Sequence, residues 1–242
     1  MRSDASKSQN VPGRPSEARP AEPSGDTFAA DLRGFGPLGI AAILVILAGN
    51  LILAPLSAVL VLLWAWRSRT PWREIGYLRP HSWVSSLAVG IVFGSAFKFA
   101  MKAIVMPLLG ADPINRAYHY LVGNRAALPA AILAMIVSAG FGEETVFRGY
   151  MFERLGKLFG SGARAKTFIV LFTSGLFGLA HYPDQRIAGA EQATITGLVF
   201  GTIFAVTGRI WLPVFAHAAF DLTALAIIYW NLESKVAHLV FK

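Results

Sequence analysis

No cysteine occurs anywhere in the 242 residues. Disulfides, thiolate nucleophiles and cysteine-ligated metals are therefore excluded. Charge is scarce as well: 15% of residues are Asp, Glu, Lys or Arg, against 55% hydrophobic, and the mean hydropathy is +0.52. Soluble domains carry about 25% charged residues, and so few cannot cover a water-facing surface. The little charge present leans one way, with 22 Lys and Arg against 14 Asp and Glu, a net +8. In a soluble protein that excess would point to nucleic acid. Here the cations fall in short segments between apolar runs, where Lys and Arg mark cytoplasmic loops. The chain therefore reads as an all-α, polytopic membrane helix bundle, with the lipid bilayer and no nucleic acid as its surroundings.

Three parts follow from the composition along the chain. Residues 1–35 are rich in Pro, Ser, Ala and charge and read as a disordered polar tail without the pattern of a signal peptide. Residues 36–232 form the membrane helical domain, and 233–242 a short tail. Within the domain, apolar runs lie at 38–66, 83–107, 127–152, 167–182, 187–206 and 211–230. At about 20 residues per crossing, they predict six helices, or seven with the first run allowed to cross twice, within an expected range of about six to eight transmembrane helices. As one long Pro-kinked helix, that first run would put the N-terminus opposite the 67–82 loop.

The 67–82 loop holds Arg67, Arg69, Arg73 and Arg79 against Glu74, and a second basic loop is expected at 153–166. Both read as cytoplasmic. Trp64, Trp66, Trp72 and Trp83 are placed to anchor at the interface. Lys98 and Lys102, one helical turn apart in an apolar run, are expected to snorkel toward it, with lining a polar interior as the alternative.

One stretch stands out, Phe141-Gly142-Glu143-Glu144-Thr145-Val146-Phe147-Arg148-Gly149-Tyr150, which ends a charge-free run. Ionisable residues inside a membrane are rare, face the protein interior and mark function by default. Glu144 and Arg148 are four apart and share a helix face. Glu143 is rotated from Glu144 by about 100° and points elsewhere. His181 lies in one later run, and His217 and Asp221, again four apart, in another. Each needs a polar partner in the apolar phase, and they are largely one another's available partners. The expectation is one buried site, nearer the basic loops than the opposite face.

These motifs resemble those of the CPBP family of intramembrane proteases (CAAX protease and bacteriocin-processing, or Abi). The family's two glutamates, three residues and an arginine are met by Glu143 to Arg148. Its Phe, three residues and His are met by Phe177 to His181. Its His, three residues and Asn or Asp are met by His217 to Asp221, with aspartate where asparagine is commoner. The likeness spans roughly 72–230, including the Trp72 to Pro80 stretch.

The resemblance implies a hydrolase of the bacterial plasma (inner) membrane. It would cleave a membrane-associated polypeptide, or a prenylated CaaX-like protein, presented from the cytoplasm. Glu143 with His181 would activate water, Arg148 would hold Glu144, His217 would donate to the oxyanion and Asp221 would orient His217. The family has been read both as glutamic-type, with no cofactor, and as metal-dependent. Zinc would take Glu143, His181, His217 and Asp221 as ligands, although no HExxH motif occurs. Two other classes fit buried acids and histidines: an ion-coupled transporter, which would want an inverted repeat that the chain does not display, and a non-catalytic scaffold or bacteriocin-immunity protein.

Overall fold

The computed structural model describes residues 26–52 and 54–241, all helix and connecting segment. Its helices are α1 (Thr27–Arg33), α2 (Pro37–Ile52), α3 (Ala54–Arg67), α4 (Trp83–Leu108), α5 (Leu128–Phe159), α6 (Ala163–Thr207), α7 (Trp211–Tyr229) and α8 (Glu233–Ala237). Four of them, α4 to α7, are long and apolar enough to cross a membrane. The bent pair Thr27–Arg33 and Pro37–Asn50, which meet at 55°, allows a fifth. This count is coarser than the expected six to eight, because it takes α6, which is two helices joined at a sharp break, as one span. The apolar run at 38–66 is not one span but two packed helices, α2 and α3, and Pro55–Arg67 is short for a crossing.

Those two helices form a hairpin that returns to its starting side. The Ser57 hydroxyl donates to Ile46 O at 2.6 Å, and Trp64 Nε1 donates to Leu32 O at 3.0 Å. Asp26 caps α1 by accepting from Ala29 N at 3.1 Å and pairs with Arg69 at 3.2 Å; Arg33 pairs with Glu74. The residues before α2 therefore lie beside the 67–82 segment, not opposite it as one long helix would place them. The part of the expected tail at 27–33 is a capped helix; the rest, 1–25, lies outside the described residues. Trp64 is 4% exposed, a packing residue and not an interface anchor, whereas Trp66, Trp72 and Trp83 are exposed.

A 45-residue helix would be about 68 Å long, more than twice the hydrocarbon core. Accordingly α6 is broken at Arg186, where φ is 57° and ψ −156°. Its arms, 163–185 and 187–207, run antiparallel, and at their base Lys166 Nζ donates to Ala205 O at 2.8 Å. Gly178 permits their close approach, since a Cβ there would sit 1.9 Å from Thr194 Oγ1. Gly94 does the same between α4 and α7, where a Cβ would lie 2.0 Å from Ala216 O.

One end of the bundle gathers the 67–82 segment, the end of α5, the base of α6 and the start of α7. There Ile210 N donates to Gly76 O at 3.0 Å and Arg209 Nη1 to Arg79 O at 3.1 Å. The expected loop at 153–166 is mostly helix: a Glu153–Lys157 pair at 2.6 Å supports α5 as far as Phe159, and Gly160, with φ 89°, ends it. Buried Arg154 donates to Arg33 O at 2.8 Å, closing the end of α1. At the opposite end, the 109–127 segment meets α7 through Gly123 N donating to Tyr229 O at 3.0 Å.

Candidate active site

In α5, two wider π-helical stretches, Ala134–Glu143 and Thr145–Tyr150, adjoin Glu144. Such turns are rare and collect at functional sites. Thr145 is braced locally: its hydroxyl donates to Phe141 O at 2.7 Å and so accepts from the Tyr77 hydroxyl at 2.7 Å. That bond fastens the 72–80 segment under the site. Burial raises the Tyr77 phenol to about 12, so it stays a donor.

The two glutamates have different surroundings. Glu144 is fully buried, and its Oε1 accepts from Arg148 Nη1 at 2.9 Å and from His217 Nδ1 at 2.7 Å. The Arg148 guanidinium lies 4.9 Å from the Phe177 ring centroid, and its Nη2 reaches Gly197 O at 3.4 Å. Glu143, 19% exposed, faces a cavity of about 490 Å³ that His181, His217 and Asp221 also line; neither Glu144 nor Arg148 lines it. The ring of His217 thus joins a buried charged pair on one side to the cavity on the other.

Its Nε2 lies 3.8 Å from Glu143 Oε2 and 3.5 Å from Asp221 Oδ2. Asp221 consequently faces the same nitrogen as Glu143. The expected contact of Asp221 with the ring is present at Nε2, while the hydrogen bond at Nδ1 is made by Glu144. Spacing within one helix pointed to Asp221, whereas the partner at Nδ1 is 73 residues away. His181 donates from Nδ1 to Phe177 O at 2.8 Å, which leaves Nε2 unprotonated in the neutral ring.

Two imidazoles with Nδ1 engaged and two carboxylates on one cavity wall are donors of the kind zinc takes. Glu143 Oε2 is moreover buried without a hydrogen-bond partner. Glu143, His181, His217 and Asp221 would hold the ion, and bound zinc would supply Lewis-acid polarisation of a carbonyl.

The cavity carries groups that the pattern of the sequence did not assign. Lys98 and Lys102 line it instead of snorkelling outward. Lys98 Nζ donates to Gln192 Oε1 at 2.9 Å and lies 4.8 Å from the centre of the Phe220 ring. Lys102 is hydrogen-bonded to Pro113 O and lies 3.6 Å from Glu233, which is 1% exposed and also accepts from Asn115 N at 2.8 Å. Residue 233 opens α8, so the expected C-terminal tail is partly a docked helix. The signal for the lysines was present, as two cations one turn apart in an apolar run; only their facing was missed. Tyr118, in the 109–127 segment, also lines the cavity, its phenol raised to about 12 by burial and then by the charges of Asp221 and Glu143.

Asp112, Arg116, Tyr120 and Arg186 are exposed and line the same cavity. Its mouth is therefore at the end of the bundle away from the basic loops. Glu143 itself lies about 10 Å, seven helical residues, from Tyr150 at the basic end, so the expected depth and the direction of access separate.

Fold and site together define a polytopic α-helical membrane protein with a carboxylate–imidazole cluster at the foot of a cavity. Over residues 125–223 the chain matches the family described as type II CAAX prenyl endopeptidase Rce1-like, a segment that contains all six expected site residues. The matched segment is under half of the chain. The chain is also 33% identical over 97 residues to the uncharacterized protein YyaK of Bacillus subtilis, which covers 38% of this chain and 31% of that protein. It therefore spans under a third of the relative's length. No solved structure matches the chain significantly.

Proposed function

We propose that the protein is an intramembrane endopeptidase of a bacterial plasma membrane. Its substrate would be a membrane-associated polypeptide, which it hydrolyses with a water activated by Glu143 and His181. One observation carries the reading: Glu143, His181, His217 and Asp221 line a single cavity while the Glu144–Arg148 pair is buried behind them.

Glu143 removes a proton from water as the oxygen attacks the scissile carbonyl carbon. The unprotonated Nε2 of His181 accepts the water's other hydrogen and aims its lone pair. Negative charge gathers on the former carbonyl oxygen, and an Nε2–H of His217 is placed to donate to it. Glu144, itself held by Arg148, keeps the Nδ1–H of that ring in place and stabilises its protonated form, as a carboxylate does behind a catalytic imidazole. The C–N bond then breaks, and Glu143 returns its proton to the leaving nitrogen. Asp221, a carboxylate where the resemblance more often has an amide, cannot donate when ionised; it lies 3.5 Å from Nε2 of His217.

Purified protein in liposomes, offered a library of hydrophobic peptides, tests the assignment. Glu143→Gln and His181→Ala should each lower cleavage at least 100-fold with the thermal unfolding midpoint retained. Unchanged cleavage by either variant would remove that residue from the mechanism. In the same assay a water activated by Glu143 alone survives a zinc chelator, whereas loss of cleavage on chelation and recovery on adding zinc would assign the four donors to a metal.

A further inference from the structure

The molecule is asymmetric along the bundle axis in two respects that bear on each other. The first is charge. The basic end carries the four arginines of the 67–82 segment together with Lys157, Arg164, Lys166 and Arg209. The segments at the other end, 109–127 and 230–241, hold only Arg116, Arg125 and Lys235, against Asp112 and Glu233. Lys and Arg close to span ends decide orientation, and the richer side stays in the cytoplasm.

The second asymmetry is access. Below Glu143 every residue from Glu144 to Tyr150 is buried. Ile75, fully buried, and Tyr77, bonded to Thr145, close the basic end beneath the glutamates. A Cβ on Gly149 would come within 3.1 Å of Ile75 O, so the plug is in direct contact with α5. The cavity instead reaches the surface among Asp112, Arg116, Tyr120 and Arg186, which are exposed at the other end.

We infer that the cavity opens on the membrane face opposite the cytoplasm, so that the substrate is a polypeptide segment presented on that outer face, after translocation. The inference rests on the protease reading for the word substrate; the orientation itself does not. It departs from the presentation from the cytoplasm that the sequence alone suggested, because position near a basic loop and access from it are separate properties. A segment entering from the outer face passes Tyr120 and Arg186 at the mouth and ends at Glu143 and His217.

The absence of cysteine makes a direct test available. Single substitutions Tyr120→Cys and Arg125→Cys mark the mouth, and Ser161→Cys and Arg164→Cys mark the basic end; all four positions are exposed and none belongs to the proposed machinery. Intact spheroplasts expressing the full chain are treated with a membrane-impermeant maleimide, and the reaction is repeated after permeabilisation. The mouth positions should label in intact spheroplasts at least 10-fold more than the basic-end positions, which should gain label only after permeabilisation. Two positions per end guard against one variant failing to fold, and labelling after permeabilisation reports that the protein is there. The reverse pattern, or equal labelling of both ends in intact spheroplasts, would overturn the proposal. Because labelling needs no cleavage, failure of the orientation is distinct from failure of the protease reading, which is judged by Glu143→Gln.

Discussion

Two adjacent glutamates in this chain do not share surroundings. The turn of a helix separates them by about 100°, and the fold then places Glu143 on a cavity wall and Glu144 in a closed pocket with Arg148 and His217. Arg148→Met should leave the Glu144 carboxylate buried without its cation, at a cost of about 3–5 kcal/mol, read as a large fall in unfolding midpoint. Glu144→Gln keeps an acceptor for His217 and should fold better than Glu144→Ala, yet lose activity with it. The within-helix pair of Glu144 and Arg148 was legible because i,i+4 spacing is a local property. The Glu144–His217 bond was not, since no sequence rule links residues 73 apart. Tyr77 gives a pH test. Its phenol is held at about 12 when folded against an ordinary value of 10, so the folded state keeps its proton longer than the unfolded chain. Stability is full below pH 10 and falls as pH rises through about 12. Tyr77→Phe should flatten that fall and cost about 1 kcal/mol at neutral pH through the lost bond to Thr145.

Among the elements, the hairpin of α6 does most to shape the cavity, because one arm presents His181 and the other Gln192. Three residues after Pro183, the reversal falls at Arg186. Its φ of 57° with ψ −156° belongs to a region nearly reserved for glycine. Arg186→Gly should therefore raise stability by about 1 kcal/mol, measured by thermal unfolding in detergent. Gly178→Val should act oppositely. Added atoms meet Thr194 at once, the arms must part, and a loss of about 1–3 kcal/mol is expected, together with misplacement of His181 one turn on. Apolar runs located α4, α5, both arms of α6 and α7 within a few residues, since burial in lipid and burial in protein select the same residue types. That equivalence is also why facing was hidden: hydropathy does not distinguish the lipid side of α4 from the cavity side, and Lys98 and Lys102 were read outward. The α2–α3 hairpin was missed because a 29-residue run satisfies one tilted crossing as well as two short helices.

For the molecule as a whole, basic loops at one end, a plug formed by the 72–80 segment and a cavity that reaches the surface at the other end make a vessel. Its class was readable from charge scarcity, and the motif residues Glu143, His181, His217 and Asp221 do meet at one cavity, whereas the direction of access depended on how the connecting segments pack. The central claim is that this vessel cuts polypeptides with Glu143. The most direct measurement compares amino- and carboxyl-terminal fragments across the proteome of cells carrying the wild-type chain, Glu143→Gln or no copy. New termini should appear with the wild type and vanish alike in the other two, while both forms of the protein accumulate to the same level. The same termini at the same abundance with Glu143→Gln would contradict the account.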